Sequence, residues 1–339
     1  MKHTIILVLS ITVLSGLTGC RQMKDEIPSK KDVSFSATTG YESGTRTSFS
    51  GEVVGETSTY ERIDWSSGDN IRVYSAEAAT AAAAHTADYT VTSVSASGRS
   101  SYAALSSTAP LQWADGANTF YAFYPAPSGT NGATMTNNVV GGSFPSDWGD
   151  VTETFSGSGI YMTDMANHGY MYAVTSASLS EDDPVPLVFH PLMTAFEFTF
   201  RGTTGFPSSW TLKYLDLMVD SSSSSYLAGS FTAELLSDGT YNLNVTPDGD
   251  GRQTTMSFPG MGPTLSSDTD LKVTVLGPPM EHTKISVRLW FWNSANNEWV
   301  SRFIDLKSTA LVSGTNPEGW ITVPAGEKVY VNLVVPAAL

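Results

Sequence analysis

The sequence predicts an all-β protein that folds into two β-sandwich domains in tandem. Short runs of β-branched and aromatic residues alternate with Gly, Pro, Asn, Asp and Ser, a pattern typical of sandwich strands and their turns. Helical periodicity is almost absent. About 320 residues follow an apolar leader, and this length exceeds the size at which one hydrophobic core usually keeps growing, so two domains are expected.

The first element along the chain is this apolar leader, which ends at the single cysteine. Lys2 and His3 precede a nearly continuous apolar run over residues 5–17. The run has the length of a signal-peptide core, about 7 to 15 residues, and is shorter than the roughly 20 residues that span a bilayer. We therefore predict a cleaved signal peptide over residues 1–19. Because the lone Cys20 cannot form an internal disulfide, hydrophobic cores must stabilise the fold.

Strands are predicted wherever apolar alternation is bounded by turn residues. In the first half they cover Asn70–Tyr74, Asp88–Val94, Ser101–Leu105, Asn118–Tyr124 and Tyr170–Thr175. In the second half they cover Ala195–Arg201, Thr211–Val219, Tyr241–Val245, Leu271–Leu276, Lys284–Phe291, Trp299–Leu306 and Lys328–Val335. The segment from Ala76 to Ala84 favours a helix but has no apolar stripe, so one or two turns within a loop are expected.

The predicted boundary between the two domains is the charged, proline-containing stretch from Ser180 to Pro186. Proline cannot donate a hydrogen bond to a neighbouring strand, so this stretch is not expected to continue a central strand. Residues 47–184 are therefore assigned to an N-terminal sandwich and residues 185–339 to a C-terminal sandwich. Residues 20–46 precede both domains.

The charge balance argues against one class of partner. The chain has 33 acidic and 18 basic residues, which gives a net charge of −15. Binding to a phosphate backbone depends on dense Lys and Arg, so no nucleic-acid partner is expected. No segment after the leader is long and apolar enough to cross a membrane as a helix.

The sequence shows no pattern typical of a catalytic or metal site. The five histidines are scattered, and none has a second His or a Cys at metal-ligand spacing. His190, which lies between Phe189 and Pro191, is expected to be a packed structural residue. The segment from Asp248 to Gly251 resembles the start of a calcium loop, but the later ligands do not follow, so a hairpin turn is expected. We predict that the protein is not an enzyme and binds neither a metal nor a cofactor.

Aromatic residues cluster around a predicted turn over residues 293–297. A strand period of two places Trp290 and Trp292 on one face and Phe291 on the other, with Trp299 on the following strand. One set is therefore expected in the core and the other on the surface, where it could contact a sugar or another protein.

Several short segments occur in the order found in a known protein family. They are Thr45-Arg46-Thr47, Trp65 to Tyr74, Phe120 to Pro125, Leu187 to His190 and Pro324 to Leu333. In this order and with these residues, the mature chain resembles the Bacteroidales fimbrillin-like proteins. One departure is the segment Pro191 to Thr194, which replaces the small and basic residues that usually follow the family's histidine.

The amino terminus carries two further resemblances. Leu17-Thr18-Gly19-Cys20 resembles the bacterial lipobox, in which the cysteine sulfur is acylated and becomes the first residue of the mature protein. Lys24-Asp25-Glu26 resembles the signal that sends Bacteroidetes lipoproteins to the cell surface. These resemblances imply a covalent lipid on Cys20 and attachment to the outer membrane.

The family resemblance implies two transthyretin-like β-sandwiches in tandem and a structural, adhesive role as a subunit of cell-surface fimbriae. It implies that the precursor travels as a lipoprotein and that an arginine-specific protease removes its first strand. It also implies that the terminal strand of a neighbouring fimbrial subunit then fills the vacated groove. The expected partners are other fimbrial subunits and the protease.

Candidate residues exist for each step of that assembly. Val33, Phe35 and Ala37 alternate with polar residues and form the candidate removed strand, and cleavage between Arg46 and Thr47 would release it together with the lipid. Arg62 is a rival cleavage point, expected to be less accessible because it lies against the strand that enters Trp65. The donor strand is predicted over residues 328–336, where Val329, Val331, Leu333 and Val335 point to one side.

Other interpretations remain open. The terminal segment also fits an ordinary last strand of a sandwich. The whole chain also fits a non-polymerising surface lipoprotein that binds a glycan or a host protein. A further alternative is the anchor or tip subunit of the same fimbria, and an anchor would keep the lipid on Cys20 and would not be cut at Arg46.

Overall fold

The computed structural model describes residues 30–39, 52–55, 58–61, 64–94, 99–100, 102–153, 159–179, 184–306 and 320–337. Within these residues almost all of the regular secondary structure is β-strand, which confirms the predicted all-β class. The only helix described is the single turn α1 (Met165–His168).

The strands of the first half are β1 (Phe35–Thr39), β2 (Glu52–Gly55), β3 (Ser58–Glu61), β4 (Trp65–Ser66), β5 (Asn70–Tyr74), β6 (Thr86–Ser93), β7 (Arg99–Ser100), β8 (Tyr102–Ser106), β9 (Ala117–Tyr124), β10 (Thr134–Thr136), β11 (Val139–Phe144), β12 (Asp147–Asp150), β13 (Thr152–Glu153), β14 (Ile160–Met162) and β15 (Met171–Ser178). Those of the second half are β16 (Val185–Pro191), β17 (Thr194–Gly202), β18 (Trp210–Val219), β19 (Gly229–Leu235), β20 (Tyr241–Pro247), β21 (Gln253–Ser257), β22 (Leu271–Gly277), β23 (Met280–Thr283), β24 (Ile285–Asn293), β25 (Glu298–Asp305), β26 (Ile321–Val323) and β27 (Lys328–Val335).

One sheet closes into a barrel in the order β1-β16-β15-β9-β5-β6-β8. It closes because β1 pairs in parallel with β16 and antiparallel with β8, so neither side of the first strand is an edge. The sequence analysis predicted a β-sandwich in this region. Large aromatic side chains that point inward, among them Trp65, Tyr89 and Phe120, fill the interior and form a continuous core.

A second core lies between two five-stranded sheets, with strand orders β12-β21-β18-β24-β25 and β13-β14-β22-β17-β27. The alternating phenylalanines of β17, Phe196, Phe198 and Phe200, are fully buried in it and stack along one face of the strand. Leu215 of β18 and Leu289 of β24 enter the same core from the opposite sheet. This part of the protein is therefore a β-sandwich.

Strands from before and after residue 184 share sheets. In the four-stranded sheet β10-β11-β19-β20, β11 pairs with β19, and elsewhere β12 pairs with β21 and β14 pairs with β22. Phe144 and Phe231 of the four-stranded sheet contact Tyr170 and join the same continuous cluster of buried residues as the barrel interior. The two halves of the chain are thus interleaved, and the division at residue 184 stays a prediction.

The expectation that the stretch up to Pro186 would not enter a central strand is wrong, because β16 begins at Val185. Val185 donates its N–H to the Ser34 carbonyl at 2.9 Å, and the Pro186 carbonyl accepts a hydrogen bond from the Thr175 hydroxyl at 2.9 Å. In the described residues, β15 pairs with β16 only at Pro191 and His190, at the other end of the strand. The missing N–H of Pro186 therefore costs no ladder bond to β15.

The predicted strands β5 and β27 agree with the structure to the residue, and the other ten predicted strands differ at their ends by a few residues. The segment from Ala76 to Ala84 contains no helix; instead Ala79 forms a β-bridge with Gln112. The Asp248 to Gly251 segment is a turn, as predicted, but it connects β20 and β21 of two different sheets and so does not make a hairpin. Within the described ranges, no helix has the length and apolar character needed to cross a membrane.

Candidate functional site

The candidate site consists of the two terminal strands, β1 and β27, and the strands that hold them. β1 lies in the barrel with five residues paired to β16, from Phe35 opposite Val185 to Thr39 opposite Phe189. Its other side pairs with β8, where Ser36 lies opposite Ala104. Removal of β1 would therefore leave unpaired backbone groups on two strands.

The side chains predicted for the removed strand point into the barrel. Val33, Phe35 and Ala37 are all buried, as their alternation predicts. The polar Ser36 between them is buried as well, because β1 has a neighbouring strand on each side. The burial agrees with the pattern, while removal of the strand by proteolysis stays a proposal.

Phe35 lies at the centre of an aromatic cluster that fixes β1. Its ring makes edge contacts with Tyr89 and Phe120, each at 5.0 Å between centroids. The Tyr89 hydroxyl accepts a hydrogen bond from the Leu111 N–H at 2.9 Å, and the Leu111 carbonyl accepts the Val33 N–H at 2.7 Å. Burial is the main cause that raises the pKa of Tyr89 to about 12. A neutral phenol thus sits directly beneath the first strand.

The terminal strand β27 pairs in parallel with β17 along its whole length, from Lys328 opposite Ala195 to Val335 opposite Gly202. In the described part of the chain, β27 is an edge strand of its sheet. Val331, Leu333 and Val335 are buried in the sandwich core, as their alternation predicts.

The fourth predicted side chain, Val329, is half-buried and packs against the same core. Asn332 and Val334 point the other way and are exposed. The strand therefore presents an apolar face and a solvent face, as the donor-strand hypothesis requires, while its role as a donor is a proposal.

An ion pair fixes the register of β27 on β17. The Lys328 ammonium contacts Glu197 Oε2, and both side chains are almost fully buried. The Lys272 ammonium lies 3.6 Å from the other carboxylate oxygen and is more exposed. Sequence analysis did not single out Glu197, although an acid between Phe196 and Phe198 in an otherwise apolar strand is a signal that it needs a partner.

The two terminal strands share one geometric property. β1 runs parallel to β16, and β27 runs parallel to β17. Parallel pairs have the same evenly spaced, slanted hydrogen bonds, so a strand that leaves one such position meets the same pattern in the other.

Three predicted site residues fall outside the part of the chain that the structure describes. Cys20, Arg46 and Thr47 lie outside the described residues, as does the rival cleavage point Arg62. The lipid attachment and the processing site therefore stay predictions. Among the described residues, no group of three or more His, Cys, Asp or Glu side chains could hold a metal ion.

Two predictions about single aromatic or histidine residues have different outcomes. His190 is exposed and lies against Tyr172, 5.9 Å between ring centroids, so its predicted role as a packed residue is wrong. Its neighbours point inward, and the strand period therefore turns His190 outward. The prediction that Phe291 and the tryptophans lie on opposite faces of the sheet is confirmed, because Phe291 is fully buried while Trp299 is exposed on the opposite face.

Known structures share this fold. The structure of a candidate cell adhesion protein from Bacteroides ovatus ATCC 8483 matches 91% of this chain and 94% of its own, with a TM-score of 0.53 and 14% identity. A second candidate cell adhesion protein, from Bacteroides uniformis ATCC 8492, matches 90% of this chain and 94% of its own, with a TM-score of 0.51 and 15% identity. At these identities the similarity shows a common fold.

A further similar structure is the fimbrial anchor protein Mfa2 from Porphyromonas gingivalis, at 12% identity and a TM-score of 0.35, over 90% of this chain and 91% of that one. Comparison with curated proteins finds no match. The model of the fimbrillin-like family matches residues 30–335 and confirms the resemblance noted in the sequence. Because this match covers most of the chain, the protein belongs to the fimbrillin-like family.

Proposed function

We propose that this protein is a structural subunit of cell-surface fimbriae that assembles by donor-strand exchange after its first strand is removed. The observation that carries the proposal is the position of β1, a buried strand with partners on both sides near one end of the chain. Its loss would leave a groove lined by core side chains and by the open edges of β8 and β16. Such a groove is satisfied by another extended strand of matching alternation.

Export and processing would precede assembly. In this proposal the precursor is a lipoprotein with its lipid on Cys20, held at the outer membrane on the cell surface. An arginine-specific protease cuts between Arg46 and Thr47, which separates β1 and the lipid from the rest of the subunit. We further propose that the barrel and the sandwich correspond to the two tandem transthyretin-like units of the family.

The terminal strand is the candidate donor. Burying its four inward side chains contributes roughly 6 to 12 kcal/mol, because each valine or leucine is worth about 1.5 to 3 kcal/mol. In the uncut subunit this gain is already realised against β17, and β1 occupies the other groove. Exchange is therefore not spontaneous until proteolysis empties the groove. The parallel pairing of both terminal strands supports this exchange, since polarity is preserved.

The test starts with the purified precursor and an arginine-specific protease. A new amino terminus at Thr47 and a ladder of polymers that resists denaturant are the expected results. The Arg46→Ala variant should stay uncut and monomeric. A wild-type subunit that stays monomeric after a clean cut would contradict polymerisation, and one that resists cutting and retains its lipid would instead indicate an anchor.

A peptide experiment isolates the donor role from the stability of the subunit itself. A synthetic peptide of residues 326–337, added during cleavage, should occupy the empty groove and suppress the ladder. A peptide with Val331→Asp and Leu333→Asp should not, whereas the matched control with Asn332→Asp and Val334→Asp changes only the solvent face and should act like the wild-type peptide. Equal action of all three peptides would assign the donor role to another segment.

A further inference from the structure

The sheet β12-β21-β18-β24-β25 carries a cluster of aromatic residues on the face that points away from the core. We call this cluster the aromatic platform; it consists of Tyr214, Trp290, Trp292, Trp299 and Phe303. Register places Tyr214 opposite Trp290 and Trp292 opposite Trp299 on neighbouring strands. The platform thus spans three adjacent strands on one face.

Three of the five rings are exposed, and Trp299 contacts two rings of the platform. The exposed fractions are 41% for Tyr214, 47% for Trp299 and 60% for Phe303. Tyr214 stacks on Trp299 at 5.8 Å and 23° between ring planes, and Trp292 lies 5.0 Å from Trp299. The solvent face of an antiparallel sheet is usually polar, and an exposed aromatic residue near a sheet edge favours aggregation. The stability and solubility of the fold therefore do not explain why these aromatic residues lie on the solvent face.

A buried carboxylate holds the inner part of the platform in place. Asp216 has a side chain that is only 5% exposed, and its Oδ2 accepts hydrogen bonds from Trp290 Nε1 and Arg288 Nε, each at 2.9 Å. Its Oδ1 accepts the Thr255 hydroxyl at 2.8 Å. The Arg288 guanidinium also lies over the Trp290 ring at 5.1 Å. Rings fixed in this way lose little conformational entropy when a ligand stacks on them.

The size of the platform indicates the size of its ligand. Aromatic side chains have roughly 150 to 250 Å² of surface each, so the three exposed fractions correspond to about 300 Å². A stable protein interface needs about 800 Å² on each partner. The platform is too small for a protein partner or a second copy of this chain and large enough for two or three sugar rings.

Charge around the platform narrows the chemistry further. The exposed residues Asp147, Asp150 and Asp305 lie on the outer strands of the same sheet, and Asp216 already compensates Arg288. An anionic ligand would be repelled by this surface and by the net charge of −15. The face of an aromatic ring is partially negative and attracts the C–H groups of a pyranose, while the exposed Ser301 beside the rings can bond to hydroxyl groups.

We propose that the aromatic platform binds a neutral oligosaccharide, with pyranose rings stacked on Trp299 and Phe303. This activity does not depend on strand exchange, so a fimbrial subunit or an uncut monomer would carry it equally. Bound sugar would lie across β24 and β25, on the side of the sandwich opposite the buried Phe291.

Isothermal titration calorimetry on the uncut full-length protein tests this inference. The probes are cellohexaose, mannohexaose and chitohexaose, with a galacturonic acid hexamer as the anionic control and hexalysine as the cationic control. At least one neutral hexamer should bind in the micromolar to millimolar range. Trp299→Ala and Phe303→Ala should each raise its Kd roughly tenfold.

The matched control variant is Tyr102→Ala, which removes an aromatic side chain of similar exposure from the barrel strand β8. It should bind like wild type, and all three variants should retain the wild-type melting temperature. The proposal is wrong if no neutral hexamer binds at millimolar concentration, if Tyr102→Ala weakens binding as much as Trp299→Ala, or if only hexalysine binds. Dimerisation that Trp299→Ala abolishes would also overturn it, since the occupant would then be a second copy.

Discussion

The substitution Phe35→Ala tests whether the Phe35 side chain anchors β1 in the uncut protein and whether β1 leaves the barrel after cleavage. Phe35 is buried in the barrel and makes edge contacts at 5.0 Å with Tyr89 and Phe120. Truncation of a buried phenylalanine costs about 3 to 5 kcal/mol, from the lost transfer free energy and the cavity that remains. Urea unfolding of the uncut protein should therefore show a loss of that size, and Ser34→Ala in the same segment should change little because Ser34 is exposed.

The same variant has a second, opposite effect if β1 leaves after cleavage. A weaker hold on the groove should speed release of the strand, so the polymer ladder should form faster with Phe35→Ala than with wild type. The finished ladder should have unchanged resistance to denaturant, because it contains no β1. A polymer that is itself destabilised by Phe35→Ala would show that β1 stays in the groove and would refute the reasoning.

Three other perturbations test the packing around the site. Glu197→Gln should lower the free energy of unfolding by about 3 to 5 kcal/mol, because it leaves the buried ammonium of Lys328 without a charged partner. The double variant Glu197→Gln with Lys328→Met should regain part of this free energy, as measured by urea unfolding. Burial raises the pKa of Tyr89 to about 12, so the neutral phenol contributes its full stabilisation to the folded state below pH 10. The free energy of unfolding should therefore fall as the pH rises from 10 towards 12, as measured by urea unfolding and by tyrosinate absorbance. Constant stability over that range would contradict the burial of Tyr89. Gly229→Ala should lower the melting temperature more than Gly239→Ala does. Both glycines have positive φ, but only at Gly229 would the new Cβ meet a carbonyl oxygen, at 2.2 Å. Equal melting temperatures of the two variants would refute this.

The sequence was most informative where the signal is local. The alternation of Val33, Phe35 and Ala37 gave their burial correctly, and the terminal strand was predicted to the residue. Both follow from the strand period of two, which needs no knowledge of neighbouring strands. Short strands such as β12 and β14 were missed because a run of three or four residues carries too little alternation to distinguish it from a loop.

The candidate site could be predicted only in part. The two terminal strands were found from their pattern and from the family resemblance, while the ion pair between Glu197 and Lys328 was not. These two residues lie far apart in the chain and meet only because β17 and β27 pair in one register. The exposed position of His190 was also missed, since its direction depends on which face of β16 meets the barrel core.

The sequence by itself determined the all-β class, the faces of the terminal strands and the membership in the fimbrillin-like family. Only the tertiary structure decided that the first strand closes a barrel, that strands from both halves of the chain share sheets, and that five aromatic residues join into one platform. The physical reason is that side-chain direction follows from local backbone geometry, whereas strand order follows from long-range pairing. Pairing depends on the burial of all strands together, and no single segment specifies it.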